Sequence, residues 1–501
     1  MIRRSYPILT AEEAVSIIQH GDTVSFSGFS PAGAAKAVPR AIARRAKEEH
    51  TKGRPFQLRV LTGASSGKSV DEELAQADAI AWRAPYMGEA ALRKRINAGN
   101  VEYVDIHLSH LPQLISFGFL GKIDVAVIEA TEITSDGRVF LTTSIGASPT
   151  YLQEARKVII EINQRHSKRL REMADIIRVP RPPHRSPIPI FDPLSKIGWS
   201  YATVDPEKVI GIVENNEPDL LDDFPPSDTI SEQIAEHIVG FLVNEIRCGR
   251  IPESFLPLQA GVGSLSNGVM AALGQATDIP AFKMYTEVFQ DSQVDLMESG
   301  KLLGASACAL TVSRRQLDRI VDNMDFFAER IVLRPQEISN HPGIIRRLGV
   351  IAMNTALEAD IYGNVNSTHI CGMDIMNGIG GSGEFTRNGY LAIFMTPSIA
   401  KNGAISCIVP MCPHIDNNEH SVQVLVTEQG LADLRGLGPV QRAKTIIDTC
   451  AHPMYRDYLH RYLETARQGH IRHNLETCYE LHRNFLTTGS MLGNIGVGDK
   501  N

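Results

Sequence analysis

The chain has 501 residues, of which 43% are hydrophobic and 21% charged, a globular composition with material for roughly two to four domains. Its net charge of −7 comes from interleaved acids and bases, without the basic stripe that marks a nucleic-acid binder. No apolar run approaches the ~20 residues needed to cross a bilayer, so a partner role for membrane is not expected.

In chain order, Thr10 with Glu13 three residues later marks the start of a helix. DTVSFSGF (22–29) reads as a strand ending at Gly28, and PAGAAKAVPRAIARRAKEE as a loop passing into a helix. FQLRVLTG (56–63), VEYVDIHL (101–108), KIDVAVIEA (122–130), KVIIEIN (157–163) and KVIGIV (208–213) are short, apolar and β-rich, with helical stretches between them. Buried parallel strands have this look, so the expected fold class is α/β. NNEPDLLDDFPPSD (215–228) is acidic and proline-bearing and reads as a linker, with Ser227 or Asp228 capping the amphipathic helix TISEQIAEHIVGFLVNEI. The alternation then resumes through FLPLQAGVG, AFKMYTEVF, GVIAMNTALEADIYG, YLAIFM, ISCIVP and VQVLVTEQG, and from about Pro439 the chain turns helical.

The halves share a loose pattern. VSFSGFSPAGAAKAVPRAI and LPLQAGVGSLSNGVMAAL are both strand, glycine turn and helix; DGRVFLTTSIGASPT and DIYGNVNSTHI with GIGGSGEF follow later. A duplicated α/β domain and a chance likeness both account for it.

Cys248, Cys308, Cys371, Cys407, Cys412, Cys450 and Cys478 are odd in number and have no C-x-x-C spacing. Free thiols in a reducing compartment are expected. MIRRSYPILTAEEAV lacks an uninterrupted apolar stretch and gives no secretory signal, which makes a cytoplasmic location the expectation.

Several stretches have the residue types that chemistry needs. In AGVGSLSNGVM (260–270), Gly261 and Gly263 follow a strand and open a helix, where free amides suit an anion; a plain tight turn is the alternative. In MNGIGGSGEF (376–385), glycines 378, 380, 381 and 383 suit a loop that presses its backbone on a ligand. No G-K-[ST] follows, so it is not a Walker A loop. In KMYTEVFQDS, alternation puts Glu287 on one face with Tyr285 and Phe289, which argues against full solvation. A carboxylate there is a candidate nucleophile or base, or an edge-strand surface group. Glu428 ends the strand of VTEQGLADLRG, where α/β folds present ligand-contacting groups; a helix cap is the other reading. His414, Asp416 and His420 in MCPHIDNNEHS lack metal-ligand spacing and read as a polar loop, and no metal is expected. No G-x-S-x-G elbow occurs.

TEVFQD, with GVGSL before it and EISN, DIYGNVNST, NGIGGSG and VTEQGLADLRG after it, resembles the acetyl-CoA hydrolase/transferase branch of the class I CoA-transferases. The likeness extends from SFSGFSPAG to AHPMYRDYLHRYLE and is greatest to the bacterial propionyl-CoA:succinate and succinyl-CoA:acetate types.

The resemblance implies two related open α/β domains, 1–225 and 226–501, the second carrying the nucleophile and a helical extension from about 439. It implies Glu287 as covalent nucleophile, Val262 and Gly381 as amide donors to an oxyanion, Asn340 beside the nucleophile, and Glu428 as a second glutamate lining the site. Gly261, Val262, Gly263, Ser264, Leu265, Gly380, Gly381 and Lys401 match CoA-contacting positions. CoA is then a substrate, with no permanently bound cofactor. Short-chain acyl-CoA and carboxylates are the implied partners, and a homodimer the implied assembly. Some relatives of the succinyl-CoA:acetate type carry an arginine between the halves; residues 201–246 have none, and Arg387 is a possible substitute. Hydrolysis of acyl-CoA on the same glutamate, and acyl-CoA binding without turnover, are the competing functions.

Overall fold

The computed structural model describes residues 6–221 and 228–493. The chain forms two compact units. The first comprises Met1–Asp223, Phe282–Leu348 and Asn377–Glu384; the second comprises Phe224–Ala281, Gly349–Met376 and Phe385–Asn501. The boundary expected between 225 and 226 lies outside the described residues, as do Ser227 and the centre of the linker.

In the first unit the apolar runs form one sheet. Its parallel strands succeed one another as Glu102–Tyr103, Ile80–Ala84, Leu58–Leu61, Thr23–Phe26, Val125–Ile133, Lys157–Asn163 and Val209–Asn215. Arg138–Leu141 pairs antiparallel with Val125–Ile133, and Ala202–Thr203 with Arg138–Leu141. Val24 lies opposite Val60 on one side and Val125 on the other, and all three are buried, as the unbroken apolar spelling of parallel strands requires. The helix Ala11–Val15 begins with the capping box at Thr10 and Glu13.

Two readings change. Ile80–Ala84, spelled IAWRA, is a strand that apolar patterning does not announce. VEYVDIHL pairs only at Glu102–Tyr103, because its later part is drawn into loop contacts: the Ile106 N–H donates to the Pro85 carbonyl and Asp105 accepts from another loop.

Buried charges inside this unit are compensated. Glu161 of KVIIEIN accepts from the N–H groups of Lys36, Ala37 and Val38 at 2.6, 2.9 and 3.0 Å, closing the start of the helix Ala37–Thr51. Lys36 Nζ, buried, donates to Glu129 at 2.6 Å, Asp219 at 2.9 Å and the Ala34 carbonyl at 2.7 Å. His166 Nε2 lies 3.5 Å from Glu129 and 3.6 Å from Asp219. Glu129, His166 and Asp219 are the cluster of metal-ligand type among the described residues, and the Lys36 ammonium already serves both carboxylates as their cation.

Segment 282–348 adds Phe282–Tyr285, Leu302–Ala307 and Ile331–Leu333, paired parallel in that order, and a separate parallel pair, Val288–Phe289 with Ala309–Leu310. Thr286 and Glu287 belong to neither strand. The Thr286 N–H reaches the Ser306 carbonyl at 2.9 Å, and the Cys308 N–H reaches the Glu287 carbonyl at 2.8 Å. The two-residue alternation expected through MYTEVFQD therefore breaks at the carboxylate. Tyr285, Thr286, Val288 and Phe289 are all buried, and Glu287 sits at the change from one pairing to the next.

In the second unit, Leu258–Ala260, Ile351–Thr355, Leu391–Met395 and Val424–Thr427 are parallel neighbours, with Gly430–Asp433 returning antiparallel. Asp228 caps the helix Thr229–Arg247, accepting from the Ser231 N–H at 2.8 Å. The helices Pro439–Cys450 and Pro453–Thr465 bury Ile446, Ile447, Tyr455 and Leu459 in one cluster with Phe394, Leu425 and Ala432. Glu480–Thr488 completes the helical extension. Each unit thus contains a strand, a glycine turn and a helix leading into parallel α/β structure, and the fold class is α/β.

Candidate active site

Glu287 projects from the interruption just described and is partly buried. Asn340, fully buried at the end of the short helix Gln336–Ser339, donates from Nδ2 to Glu287 Oε2 at 2.8 Å. Its own Oδ1 accepts from Ser339 Oγ at 2.7 Å, so both ends of the carboxamide are engaged, the NH2 end facing the acceptor-only carboxylate. The helix is tied down in turn: Gln336 Nε2 donates to the Leu108 carbonyl at 2.8 Å.

The backbone N–H of Gly381 is the second donor to Glu287. A Cβ at 381 would lie 1.9 Å from Glu287 Oε2 and 2.5 Å from Asn340 Nδ2, so only glycine permits this approach. Gly380 has φ +59 and faces the ring of Tyr86. The loop is anchored by Asp105, whose Oδ2 accepts from the Ile379 N–H at 2.8 Å while Oδ1 takes the Tyr103 hydroxyl at 3.3 Å.

Burial pushes the Glu287 carboxyl up to about 7, against the opposing hydrogen bonds from Asn340 and Gly381. Around it, burial followed by the Glu287 charge raises both the Tyr86 phenol and the Cys308 thiol. A carboxylate so placed is partly stripped of water yet held by two N–H donors, the condition of an activated oxygen nucleophile.

Four expected site residues, Glu287, Asn340, Gly380 and Gly381, come together in the first unit. The others belong to the second. Gly261, Val262 and Gly263 form the turn from Leu258–Ala260 into the helix Ser264–Gln275, with Ser264 and Leu265 in its first turn. Gly263 has φ +121, and a side chain there would meet nothing within 4 Å. Val262 is 43% exposed. Lys401 is exposed and its ammonium lies 4.9 Å from the centre of the Phe485 ring.

Glu428, half-buried, accepts from the Ser398 N–H at 2.8 Å, from the Ser398 hydroxyl, and from Gln429 Nε2 at 3.1 Å. Burial acts upward on its carboxyl, and these hydrogen bonds outweigh it, leaving the group below the ordinary range. Arg387 is exposed in the last turn of Ser382–Asn388. His414 pairs with Asp416 at 3.1 Å, and Asp416 also accepts from Ser367 and Thr368, a hydrogen-bonded loop as expected.

Sequence reasoning passed over Asp105, Tyr86 and Glu384. Glu384 is 4% exposed and accepts from the Ser109 N–H at 2.8 Å. Its place in GGSGEF, three residues after Gly381, is a signal that was present in the sequence.

The two halves of the chain match two family models in succession. Residues 3–214 match the acetyl-CoA hydrolase/transferase N-terminal domain and residues 317–463 the C-terminal domain. The chain belongs to the acetyl-CoA hydrolase/transferase family. It is 58% identical to the propanoyl-CoA:succinate CoA transferase of Escherichia coli over 97% of this chain and 99% of that protein. It is 45% identical to the succinyl-CoA:acetate CoA-transferase of Clostridium kluyveri, over 97% and 90%. An acetyl-CoA hydrolase of Schizosaccharomyces pombe is 41% identical, over 95% and 94%. Among solved structures, RipA from Yersinia pestis superposes with a TM-score of 0.70 at 25% identity, covering 91% of this chain and 96% of that one.

Proposed function

We propose that this protein transfers CoA between a short-chain acyl-CoA (succinyl-, propionyl- or acetyl-CoA) and a carboxylate such as succinate or acetate, through a thioester on Glu287. The observation that carries the reading is the seat of that side chain: partly buried, with Asn340 Nδ2 at 2.8 Å and the Gly381 N–H on the same carboxylate. The 58% identity to a propanoyl-CoA:succinate CoA transferase supports the choice of substrates.

In this mechanism a Glu287 oxygen attacks the thioester carbonyl; the C–S bond breaks and CoA leaves as thiolate. The product is a mixed anhydride. The thiolate then attacks Cδ of Glu287, expelling the free carboxylate and leaving a glutamyl-CoA thioester. An acceptor carboxylate repeats the steps in reverse. The reaction is divided into exchanges of nearly equal energy, as covalent catalysis requires. Each tetrahedral intermediate carries an oxyanion, and the amides of Val262 and Gly381 are assigned to it; one such donor is worth about 3 kcal/mol. Asn340 orients the nucleophile, and Glu428 is assigned to the wall of the site. Gly261, Val262, Gly263, Ser264, Leu265, Gly380, Gly381 and Lys401 are assigned to CoA, the lysine answering its phosphate charge.

Incubating the protein with succinyl-CoA and acetate, with thiol release measured in parallel, tests this. Transfer should exceed release by orders of magnitude; equal thiol release without an acceptor makes the protein a hydrolase acting through the same glutamate. The 41% identity to an acetyl-CoA hydrolase keeps that reading in view. The proposal includes a cytoplasmic homodimer. All seven cysteines are free thiols, and no described helix is long and apolar enough to cross a membrane. Sedimentation at micromolar concentration checks the assembly.

A further inference from the structure

A cleft in the first unit is lined by none of the residues assigned above to the nucleophile or to CoA. Its volume of about 570 Å³ falls within the ~300–1,000 Å³ of small-molecule sites. The helices His110–Ser116 and Ser148–Glu154, the strand Ala202–Thr203, the segment 176–185 and Glu337 contribute to its lining.

The positive charge of the cleft comes from one short loop. RVPRPPHR (178–185) places Arg178, Arg181 and Arg185 on the lining. Its prolines at 180, 182 and 183 fix φ and limit how far the three guanidinium groups can scatter. The ends of the region are tied down. Ile176 and Trp199 each donate a backbone N–H to the other's carbonyl, at 2.8 and 2.9 Å. Asp175 accepts from the Ile197 N–H at 2.8 Å and pairs with buried Arg334, which donates to the Pro193 carbonyl at 3.0 Å. Arg334 stands three residues before Glu337, so the arginine loop, Trp199 and the Glu337 carboxyl are held by one set of contacts.

The arginines are not used up by their neighbours. Arg178 and Arg181 share Glu154 at 3.6 and 3.4 Å and are both more than half exposed. Arg178 Nη1 lies 3.5 Å from Gln153 Oε1; Arg185 donates to Gln113 Oε1 at 3.0 Å and to the Pro180 carbonyl at 2.8 Å. Three guanidinium groups face two carboxyls, Glu154 and Glu337, which leaves positive charge in excess. Burial pushes the Glu337 carboxyl up to about 7, against the charges of Arg185 and Arg178. Beside them stands an aromatic pair. The Trp199 and Tyr201 rings lie 5.8 Å apart, and the Arg138 guanidinium covers Tyr201 at 5.1 Å, whereas Trp199 is 67% exposed. An uncovered indole beside a cationic loop is suited to stack a planar ring that carries negative charge.

We propose that this cleft binds a nucleoside phosphate, with the base on Trp199, the phosphate on the arginines of 178–185 and the ribose hydroxyls on Glu337. A simple anion would use the guanidinium groups alone, leaving Trp199 bare and meeting the Glu337 carboxylate. An uncharged ring compound would leave the arginines unanswered. A nucleotide supplies a ring, hydroxyl donors and an anion that guanidinium groups can grip in pairs. The inference does not depend on Glu287 being the nucleophile.

The chain has two tryptophans, so Trp82→Phe leaves Trp199 as the sole reporter; Trp82 lies in the strand Ile80–Ala84 against Arg59, outside the cleft. Titrating this variant with AMP should change the Trp199 emission to saturation, with a Kd between ~10 μM and ~1 mM, and calorimetry on the parent should give the same Kd. Arg185→Ala and Arg181→Ala should each weaken AMP binding by about 10-fold or more, the scale of a charge-assisted hydrogen bond. Trp199→Ala should weaken it by about 10-fold, the scale of one stacked base. Circular dichroism should be unchanged in all three, and exposed Arg181 keeps the test open should Arg185→Ala misfold. Adenosine and inorganic phosphate should each bind at least about 10-fold more weakly than AMP, since each lacks one of the groups the cleft answers. CoA, titrated in the same way, separates two sources of this chemistry: binding tighter than AMP names the nucleotide end of CoA, and weaker binding names a free nucleotide. The inference is overturned if AMP gives no saturable signal up to ~5 mM, if inorganic phosphate binds as tightly as AMP, or if the arginine and Trp199 variants bind AMP at parent strength. Trp199 emission that shifts on dilution without nucleotide, with a dimer lost in Trp199→Ala on sedimentation, makes the cleft a contact between copies and overturns it as well.

Discussion

Asn340 Nδ2 stands 2.8 Å from Glu287 Oε2, across 53 residues of sequence, and Ser339 Oγ holds the other end of the same carboxamide. The donor is in place before any substrate arrives. A preorganised donor needs no reorientation when charge develops, which is where electrostatic catalysis gains most.

Removing the proposed nucleophile should abolish transfer. Glu287→Gln keeps the volume and a carbonyl acceptor for Asn340 but cannot form the anhydride. We expect kcat to fall by ~10⁴-fold, and no CoA-sized mass increase on the intact protein after exposure to acyl-CoA. Normal turnover by this variant rules out the assignment.

The same substitution should stabilise the fold, in a way that depends on pH. The folded-state carboxyl of Glu287 is raised from 4.5 to about 7. Below pH 4.5 both folded and unfolded chains hold the proton. Between 4.5 and 7 the unfolded chain releases it first, so stability declines as pH rises; above 7 the penalty is complete. Thermal melts of Glu287→Gln and the parent should coincide near pH 4 and separate by pH 8, the variant melting higher.

Asn340→Ala removes a hydrogen bond that favours the ionised form of Glu287. The acid limb of kcat/KM should move to higher pH, and the plateau should drop by roughly 10- to 100-fold, the range for losing one preorganised donor. A limb that stays in place or moves down shows that Asn340 does not set this ionisation.

Gly381→Ala puts a methyl group 1.9 Å from Glu287 Oε2, closer than any contact can be. The loop or the glutamate has to move, and transfer should fall by about 100-fold, the scale for a misplaced reacting group. Far-ultraviolet circular dichroism should be unchanged.

Lys36→Met leaves Glu129 and Asp219 facing each other without their ammonium. Breaking a buried pair costs ~3–5 kcal/mol, measurable as a lower urea midpoint. His166 then becomes the cation beside both carboxylates. Its imidazole is already raised to about 9 from 6.5, so its contribution is complete below pH 6.5 and lost as pH rises through 9. The variant should therefore suffer more at pH 9 than at pH 6.

The sequence was most readable where both faces of a strand are buried. VSF, VAVIEA and KVIIEI are mostly apolar because each is flanked by strands and buried, with Ser25, Glu129 and Glu161 as the buried polar exceptions. IAWRA escaped notice because Arg83 is buried through its ion pair with Asp71, a contact that periodicity cannot foretell. VEYVDIHL misled in the other direction: Ile106 and Leu108 are buried in a loop, not in a ladder, and Val104 is exposed. At the site, Glu287 and the glycines were legible from residue type. Asp105 was not, since its partner lies 274 residues away and nothing local distinguishes it from an ordinary acidic residue; for Glu384, whose partner lies 275 residues away, the one local signal is its place beside the glycine loop. The alternation rule failed at Glu287 because the chain changes sheet partners there.

The first compact unit is assembled from three separate stretches of chain, and the carboxylate, its carboxamide and its glycine loop come from the later two. A protein cleaved after residue 221 would therefore not yield two self-sufficient pieces. The amino-terminal fragment would lack Glu287, Asn340 and Gly381, and the carboxyl-terminal fragment would carry them without the first sheet of their unit. Activity should return only when the two fragments are brought together, which makes the family a natural subject for fragment complementation and a poor one for domain transplantation.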